Sequence, residues 1–256
     1  MRQRPRAVDV LGLRVDDVTY AEALAILARA IDDRVPHLVT TPNPEFVMLA
    51  RREPDFRTVM QRAALNIPDG IGLVLAARLA GDRLREHVQG TDLVLKLAAA
   101  SARRGERWFL LGARGDVAQR TGRVLQRQYP GLQIAGAMSG SPLFSDDDAV
   151  RSAILAAGRV DVLLVAYGAP KQEYWLDRNL VALDIPVGIG VGGVFDYLSG
   201  DVPRAPRWVR QLHFEWCYRL IAQPWRWRRQ LALPAFAALA LTHAARRRFG
   251  QLPRLI

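Results

Sequence analysis

Hydrophobic positions along the chain change period repeatedly, and the changes mark its elements. Residues 8–18 alternate around Gly12 and predict a small hairpin. Thr19-Tyr-Ala-Glu22 is a capping box that opens an Ala/Leu/Ile-rich helix to about Asp33. A short apolar run at 37–41 predicts a buried strand. Asn43-Pro44 then supplies an N-cap with proline at the first helical position, predicting a helix to about Arg52 and a second from Pro54 to about Ala63. A strand at 64–67, a Pro68-Asp69-Gly70 turn and an apolar helix at 71–80 complete this first unit.

After a loop from Gly81 to Gly90, a helix starts near Thr91, and a strand–helix rhythm follows. Strands are predicted at 107–111, 132–138, 161–167 and 185–191, with helices after the first three, including one over Asp146–Ala157. The strand runs are continuously apolar, as expected when helices cover both faces. The predicted fold is α/β, a Rossmann-like three-layer αβα core with a mostly parallel sheet. Beyond Gly200 the pattern breaks at Pro203 and Pro206. Helical stretches follow at 208–222 and 231–245, separated by Pro224 and Trp225-Arg-Trp-Arg-Arg229. This divides the chain into a core over 1–202 and a Trp/Arg-rich helical appendage over 203–256.

The strand ends carry the candidate chemistry. Thr41, Asn43 and Asp69 fall where open α/β sheets place their ligand crevice. A carboxylate between a proline and a glycine at such an edge is a candidate general base; equally, Asn43 can cap a helix and Asp69 can make a turn. Further glycine-bearing strand ends are Gly70, Gly112 to Gly115, Gly168-Ala-Pro-Lys-Gln-Glu173 and Gly188 to Gly193. Together they suggest a nucleotide or diphosphate crevice, because glycine admits close backbone approach and helix N-termini offer N–H groups to phosphate. Lys171 at a helix start is rationalised by an anionic ligand or by solvation. Asp196 can hold a sugar hydroxyl or cap the turn at Tyr197. The dinucleotide fingerprint, the P-loop lysine motif and the hydrolase elbow are absent, and Asp146-Asp-Asp148 reads as a helix start.

Charge adds a partner. Of the net +11, residues 203–256 carry +10, with eleven arginines and one acid, Glu215; the first 202 residues are nearly neutral. Such asymmetry points to a polyanion: nucleic acid, a phosphate-bearing ligand or an anionic membrane. The apolar run at 231–245 is shorter than the roughly 20 residues a spanning helix needs. An interfacial segment or a helix packed on the body fits it. Cys217 is the single cysteine, so no intrachain disulfide exists, and no Cys/His cluster suggests zinc. The basic N-terminus lacks the apolar stretch of a signal peptide, which points away from secretion.

Thr41-Pro-Asn43, Ile67-Pro-Asp-Gly70, Gly168-Ala-Pro-Lys-Gln-Glu173, Gly190-Val-Gly-Gly-Val-Phe-Asp196, Arg204-Ala-Pro206 and Glu215-Trp216 with Arg219, in this order, resemble the WecG/TagA/CpsF glycosyltransferases. The resemblance implies a bacterial, inverting, metal-independent and cofactor-free transfer from a UDP-sugar to a polyprenyl-diphosphate-linked sugar. The enzyme would be peripheral at the cytoplasmic face of the inner membrane. The sugar would be N-acetylmannosamine, its uronic acid or glucose, and a homo-oligomer is left open. Asp69 is then the base, with Thr41 and Asn43 beside it. Gln172, Gly192 and Gly193 belong to the nucleotide-sugar pocket, along with Gly70, Gly112, Gly168, Lys171, Glu173 and Asp196. Arg219, Arg226 and Arg229 would hold lipid diphosphate. Where the family pattern reads Glu-Arg-Val-x-Gly, this chain has Glu86-His-Val-Gln-Gly90, replacing a permanent cation with the imidazole of His87. The competing class is a nucleic-acid-binding module using the basic arm, which leaves the Thr41–Asp69 edge without a purpose.

Overall fold

A computed structural model describes residues 4–206, 208–209, 212, 214–222 and 227–250, with backbone alone at 219, 222, 228–229 and 248–250. The N-terminal hairpin pairs β1 (Ala7–Val10) with β2 (Leu13–Asp16). Its two turn residues, Leu11 and Gly12, both have positive φ (56° and 92°), the geometry a two-residue hairpin needs. Helix α1 (Tyr20–Asp33) carries the predicted capping box: Thr19 Oγ1 accepts from the Glu22 N–H, and the Glu22 carboxylate accepts from the Thr19 N–H.

The main sheet contains β3 (His37–Thr40), β4 (Leu65–Asn66), β5 (Arg107–Gly112), β6 (Gln133–Met138), β7 (Val162–Ala166) and β8 (Val187–Gly190). Their spatial order is β4-β3-β8-β7-β5-β6, and every pairing is parallel. Most strands are shorter than predicted: β4 keeps two of four residues and β8 four of seven, whereas β5 runs one residue longer, to Gly112. All carboxyl ends share one edge.

The helices after β3 and β4 are α2 (Pro44–Arg52), α3 (Pro54–Arg62), α4 (Ile71–Leu79) and α5 (Gly90–Arg104). Then come α6 (Val117–Gln128), a 3-10 turn at Phe144–Asp146, α7 (Asp147–Ala156), α8 (Lys171–Asn179) and α9 (Val194–Ser199). The C-terminal segment contributes α10 (Glu215–Ala222), α11 (Trp227–Gln230) and α12 (Ala232–Gly250).

Strand alternation sorts these helices into layers. Trp108 and Leu110 of β5 face a core shared with α1, α5, α6 and α9. Phe109 and Leu111 face another, shared with α7 and α8. A third core joins the hairpin to α2, α3 and α4, and α12 completes it with Phe236 and Ala240. A buried polar network locks β4 into register. Asp16 accepts from the Asn66 N–H (2.7 Å) and pairs with Arg14 (2.9 Å), Thr40 Oγ1 donates to Asn66 Oδ1 (2.6 Å), and Asn66 Nδ2 donates to the Met60 carbonyl (2.9 Å). Asp16, Thr40 and Asn66 are all buried, so each bond replaces water that cannot reach it.

Candidate active site

β3 and β4 end side by side, and their exits run together. The Ile67 N–H donates to the Thr40 carbonyl and the Asp69 N–H to the Pro42 carbonyl, each at 2.9 Å. Gly70 permits the close approach: a β-carbon built on it would stand 2.9 Å from Pro44 Cδ and 3.3 Å from Asn43 Cα. The segment before α5 closes the third side, with the Val88 N–H donating to the Pro68 carbonyl at 2.9 Å. At the first residue of α5, the Gly90 N–H donates to Asp69 Oδ1 at 3.0 Å. The positive end of a four-turn helix therefore faces this carboxylate and orients it. A β-carbon on Gly90 would lie 3.3 Å from Asp69 Oδ2 and 3.6 Å from Thr41 Oγ1, so the two side chains converge on one spot.

Asn43 sits beside them with its Oδ1 engaged as the α2 cap, accepting from the Glu45 and Phe46 N–H groups at 2.9 and 3.3 Å. The helix-cap reading of Asn43 is therefore what its side chain shows. His87 is half-buried in the segment between α4 and α5, adjacent to the tie at Val88.

Two residues at this site carry roles that their local sequence does not announce. Tyr20, at the start of α1, accepts from the N–H of Gln89, the residue that caps α5, at 2.8 Å. Burial raises its hydroxyl above the ordinary phenol range; the Gln89 N–H opposes this, and the carboxylates of Asp92, Asp69 and Glu86 add to it. Arg204 crosses from the strap after α9 to pair with Asp92 in the first turn of α5 (2.7 Å) and to reach Gln89 Oε1 (3.4 Å). Arg204 stands in the Arg204-Ala-Pro206 motif, but only the folded chain brings it to Asp92 and brings Gly90 to Asp69.

A second cluster occupies the ends of β7 and β8. Gln172 Oε1 accepts from the backbone N–H groups of Gly168 (3.0 Å) and Gly192 (2.9 Å), and its Nε2 donates to Glu173 Oε1 (2.7 Å). Gln172 is 2 % exposed, so its side chain braces the two loops from within. Gly192 has φ +52° and Gly168 φ +77°, backbone conformations that favour glycine. Asp196 approaches the loop at Gly193, where a β-carbon would stand 3.7 Å from Asp196 Oδ2. Lys171 is exposed at the start of α8. β8 and β7 lie two and three strands from β4, so this cluster is about 10–14 Å across the edge from Asp69.

Gly112 lies one strand farther still. A β-carbon there would come within 2.7 Å of the Ala166 backbone, so close strand packing is a sufficient reason for glycine at that position. Arg226 lies outside the described residues, as do the side chains of Arg219 and Arg229.

The sequence model of the glycosyl transferase WecG/TagA/CpsF family matches residues 8–250, nearly the whole chain. The chain belongs to that family. Similar proteins include an N-acetylglucosaminyldiphosphoundecaprenol N-acetyl-beta-D-mannosaminyltransferase of Bacillus subtilis (strain 168). It is 35 % identical over 211 residues, which is 82 % of this chain and 81 % of the relative. A transferase of the same name from Bacillus spizizenii is 34 % identical over 213 residues, 83 % and 82 % of the two chains. Another, from Staphylococcus aureus (strain NCTC 8325), is 27 % identical over 237 residues, 92 % of each. As a family member the protein is a glycosyltransferase, and Thr41, Asn43, Asp69 and Gly90 lie within the matched span.

Proposed function

We propose that this transferase moves N-acetylmannosamine from its UDP derivative to N-acetylglucosamine carried on undecaprenyl diphosphate, with inversion, in bacterial cell-surface polysaccharide synthesis. The names of the relatives support both sugars and the lipid carrier. The observation that carries the catalytic reading is the convergence of Asp69 and Thr41 on the N-terminus of α5. Asp69 accepts the proton of the acceptor hydroxyl as its oxygen attacks the anomeric carbon. The bond from that carbon to the diphosphate oxygen breaks on the opposite face, and UDP departs with the electron pair. A single displacement of this kind inverts the centre.

The departing diphosphate is stabilised by helix N-termini at the sheet edge and by the arginines of the C-terminal segment, without a metal. Gln172 shapes the donor pocket by holding the Gly168 and Gly192 loops. Thr41 and Asn43 frame the acceptor side. The C-terminal segment brings the protein to the cytoplasmic face of the membrane as a peripheral protein. Among the described residues no helix is long and apolar enough to cross a membrane.

The test is UDP release from UDP-N-acetylmannosamine with a short-chain polyprenyl-diphosphate N-acetylglucosamine acceptor. Asp69→Asn keeps the shape of the side chain and removes its basicity, so turnover should fall by about 10²-fold or more while the melting temperature is retained. Turnover within a few-fold of wild type would remove Asp69 from the mechanism.

A further inference from the structure

Helix α4 is built unlike a helix at the surface of a soluble protein. Its sequence, Ile71-Gly-Leu-Val-Leu-Ala-Ala-Arg-Leu79, contains one charge. Leu73, Ala76 and Ala77 point into the core, yet the opposite face is also apolar. Leu75 is 52 % and Leu79 38 % exposed, and with half-buried Ile71 they form a stripe at four-residue spacing. The neighbouring α3 shows the ordinary arrangement: Phe56, Val59 and Met60 are buried, while Asp55, Arg57 and Arg62 meet solvent.

α12 continues the anomaly beside it. One face, Ala232, Phe236, Ala240 and Ala244, is buried, and Phe236 Cε1 reaches to 3.7 Å of where a β-carbon on Gly72 of α4 would lie. Its outer face exposes Pro234, Ala235, Ala237, Ala238, Leu241 and Thr242, with no charge until Arg246. Arg247 ties the end of this helix to the end of α4 through Asp82 (2.6 Å) and the Ala80 carbonyl (3.0 Å).

We propose that α4 and α12 together form an apolar platform that seats this protein on an anionic phospholipid surface, so that a helix of the catalytic core, and not the C-terminal segment alone, contacts lipid. The charges at the margin decide the occupant. Arg78 and Arg246 are exposed at the platform, and the segment containing α12 carries most of the chain's +11. An anionic bilayer complements that charge, whereas a second copy would present the same positive field. A two-helix face with flanking arginines suits the interfacial mode of binding.

The placement has a catalytic consequence, which rests on the lipid-linked acceptor proposed above. α4 begins two residues after Asp69 and spans roughly 14 Å. A platform lying on the bilayer therefore holds the base within about one short helix of the headgroups. An acceptor sugar tethered to lipid by only a diphosphate requires that.

The experiment uses the full chain, vesicles of phosphatidylcholine with and without phosphatidylglycerol, and the double variant Leu75→Glu/Leu79→Glu. Leu75→Ser/Leu79→Ser serves if the acidic pair lowers the melting temperature. Vesicle binding should weaken by about tenfold or more. Turnover of a long-chain acceptor embedded in vesicles should fall in parallel, while turnover of a water-soluble short-chain acceptor stays within about twofold, because neither leucine touches the site. A Leu75→Cys variant in a Cys217→Ser background, carrying an environment-sensitive dye, should shift to the blue when vesicles are added.

Folded variants that bind vesicles like wild type, or a dye that does not respond, overturn the proposal. So does a wild-type dimer that the variants dissociate with no vesicle binding, since that assigns the face to a second copy. Vesicle binding through α4 in a protein that turns over neither acceptor would refute the substrate reading and leave the platform standing.

Discussion

The Gly90 N–H lies 3.0 Å from Oδ1 of Asp69, so the first residue of a helix holds a carboxylate delivered by a strand end twenty-one residues earlier. Glycine at position 90 serves this contact through its missing side chain. An added β-carbon would press Asp69 Oδ2 at 3.3 Å, with Thr41 Oγ1 in ordinary contact at 3.6 Å. Alanine is the better helix former by roughly 0.5–1 kcal/mol. Gly90→Ala should therefore leave the melting temperature unchanged or slightly higher while turnover drops by about tenfold or more, since small displacements of a catalytic group are costly. Steady-state rates measured beside thermal unfolding separate the two effects.

Gln172 offers the opposite pattern. Its side chain is buried, and its Oε1 satisfies the N–H groups of two half-buried loops. Gln172→Ala should cost about 2–4 kcal/mol, from leaving both donors without a partner. The loops at Gly168 and Gly192 should loosen, so KM for the donor should rise more than kcat falls. Denaturant titration and donor saturation curves check the two parts.

Asn66 is linked to the site through β4 and, by its bond to Thr40, through the end of β3. Its side chain accepts from Thr40 and donates to the Met60 carbonyl, and its N–H meets Asp16. Asn66→Ala removes the side-chain partner of Thr40 and opens a small void, and should destabilise the fold by about 2–3 kcal/mol. The N–H bond to Asp16 survives, so β4 should keep its place and residual activity should track the folded fraction. A loss of activity well beyond the folded fraction would show that the network also sets the position of Asp69.

The Tyr20 hydroxyl gives a pH signature. Burial raises its folded pKa, whereas in the unfolded chain a tyrosine ionises near the ordinary value of about 10. Below that pH both states keep the proton and the group is neutral to stability. Above it the unfolded chain loses the proton first, so stability should fall as pH rises past about 10. Tyr167 contributes in the same direction, and Tyr174 is pushed up to about 12. Melting temperature measured from pH 8 upward should decline above about pH 10, and Tyr20→Phe should remove a part of that decline and no more.

Thr41, Asn43 and Asp69 were legible because prolines and glycines punctuate the strands that carry them, and a parallel sheet puts all such ends at one edge. Gly90 and Tyr20 carry no such punctuation. Their contacts join residues 69 to 90 and 20 to 89, and they exist only once the sheet and α1 have packed. Some glycines were legible for a different reason than the sequence suggested. Gly112 is small because the Ala166 backbone approaches it, and Gly190 because Gln172 and Glu173 do.

The last helix defeated pattern reading for its own reason. An amphipathic stripe requires a polar face, and α12 is apolar on both sides, so its buried residues at four-residue spacing could not be distinguished from its exposed ones.

The contact of Phe236 with Gly72 also orders events in time. Phe236 is added to the growing chain 167 residues after Asp69, roughly 10–30 s later at ordinary synthesis rates. Throughout that interval the hairpin, α2, α3 and α4 lack the side chain that closes their common core. A nascent chain thus holds α4 before its own terminus can add Phe236 and Ala240 to the core that α4 shares with the hairpin and α2.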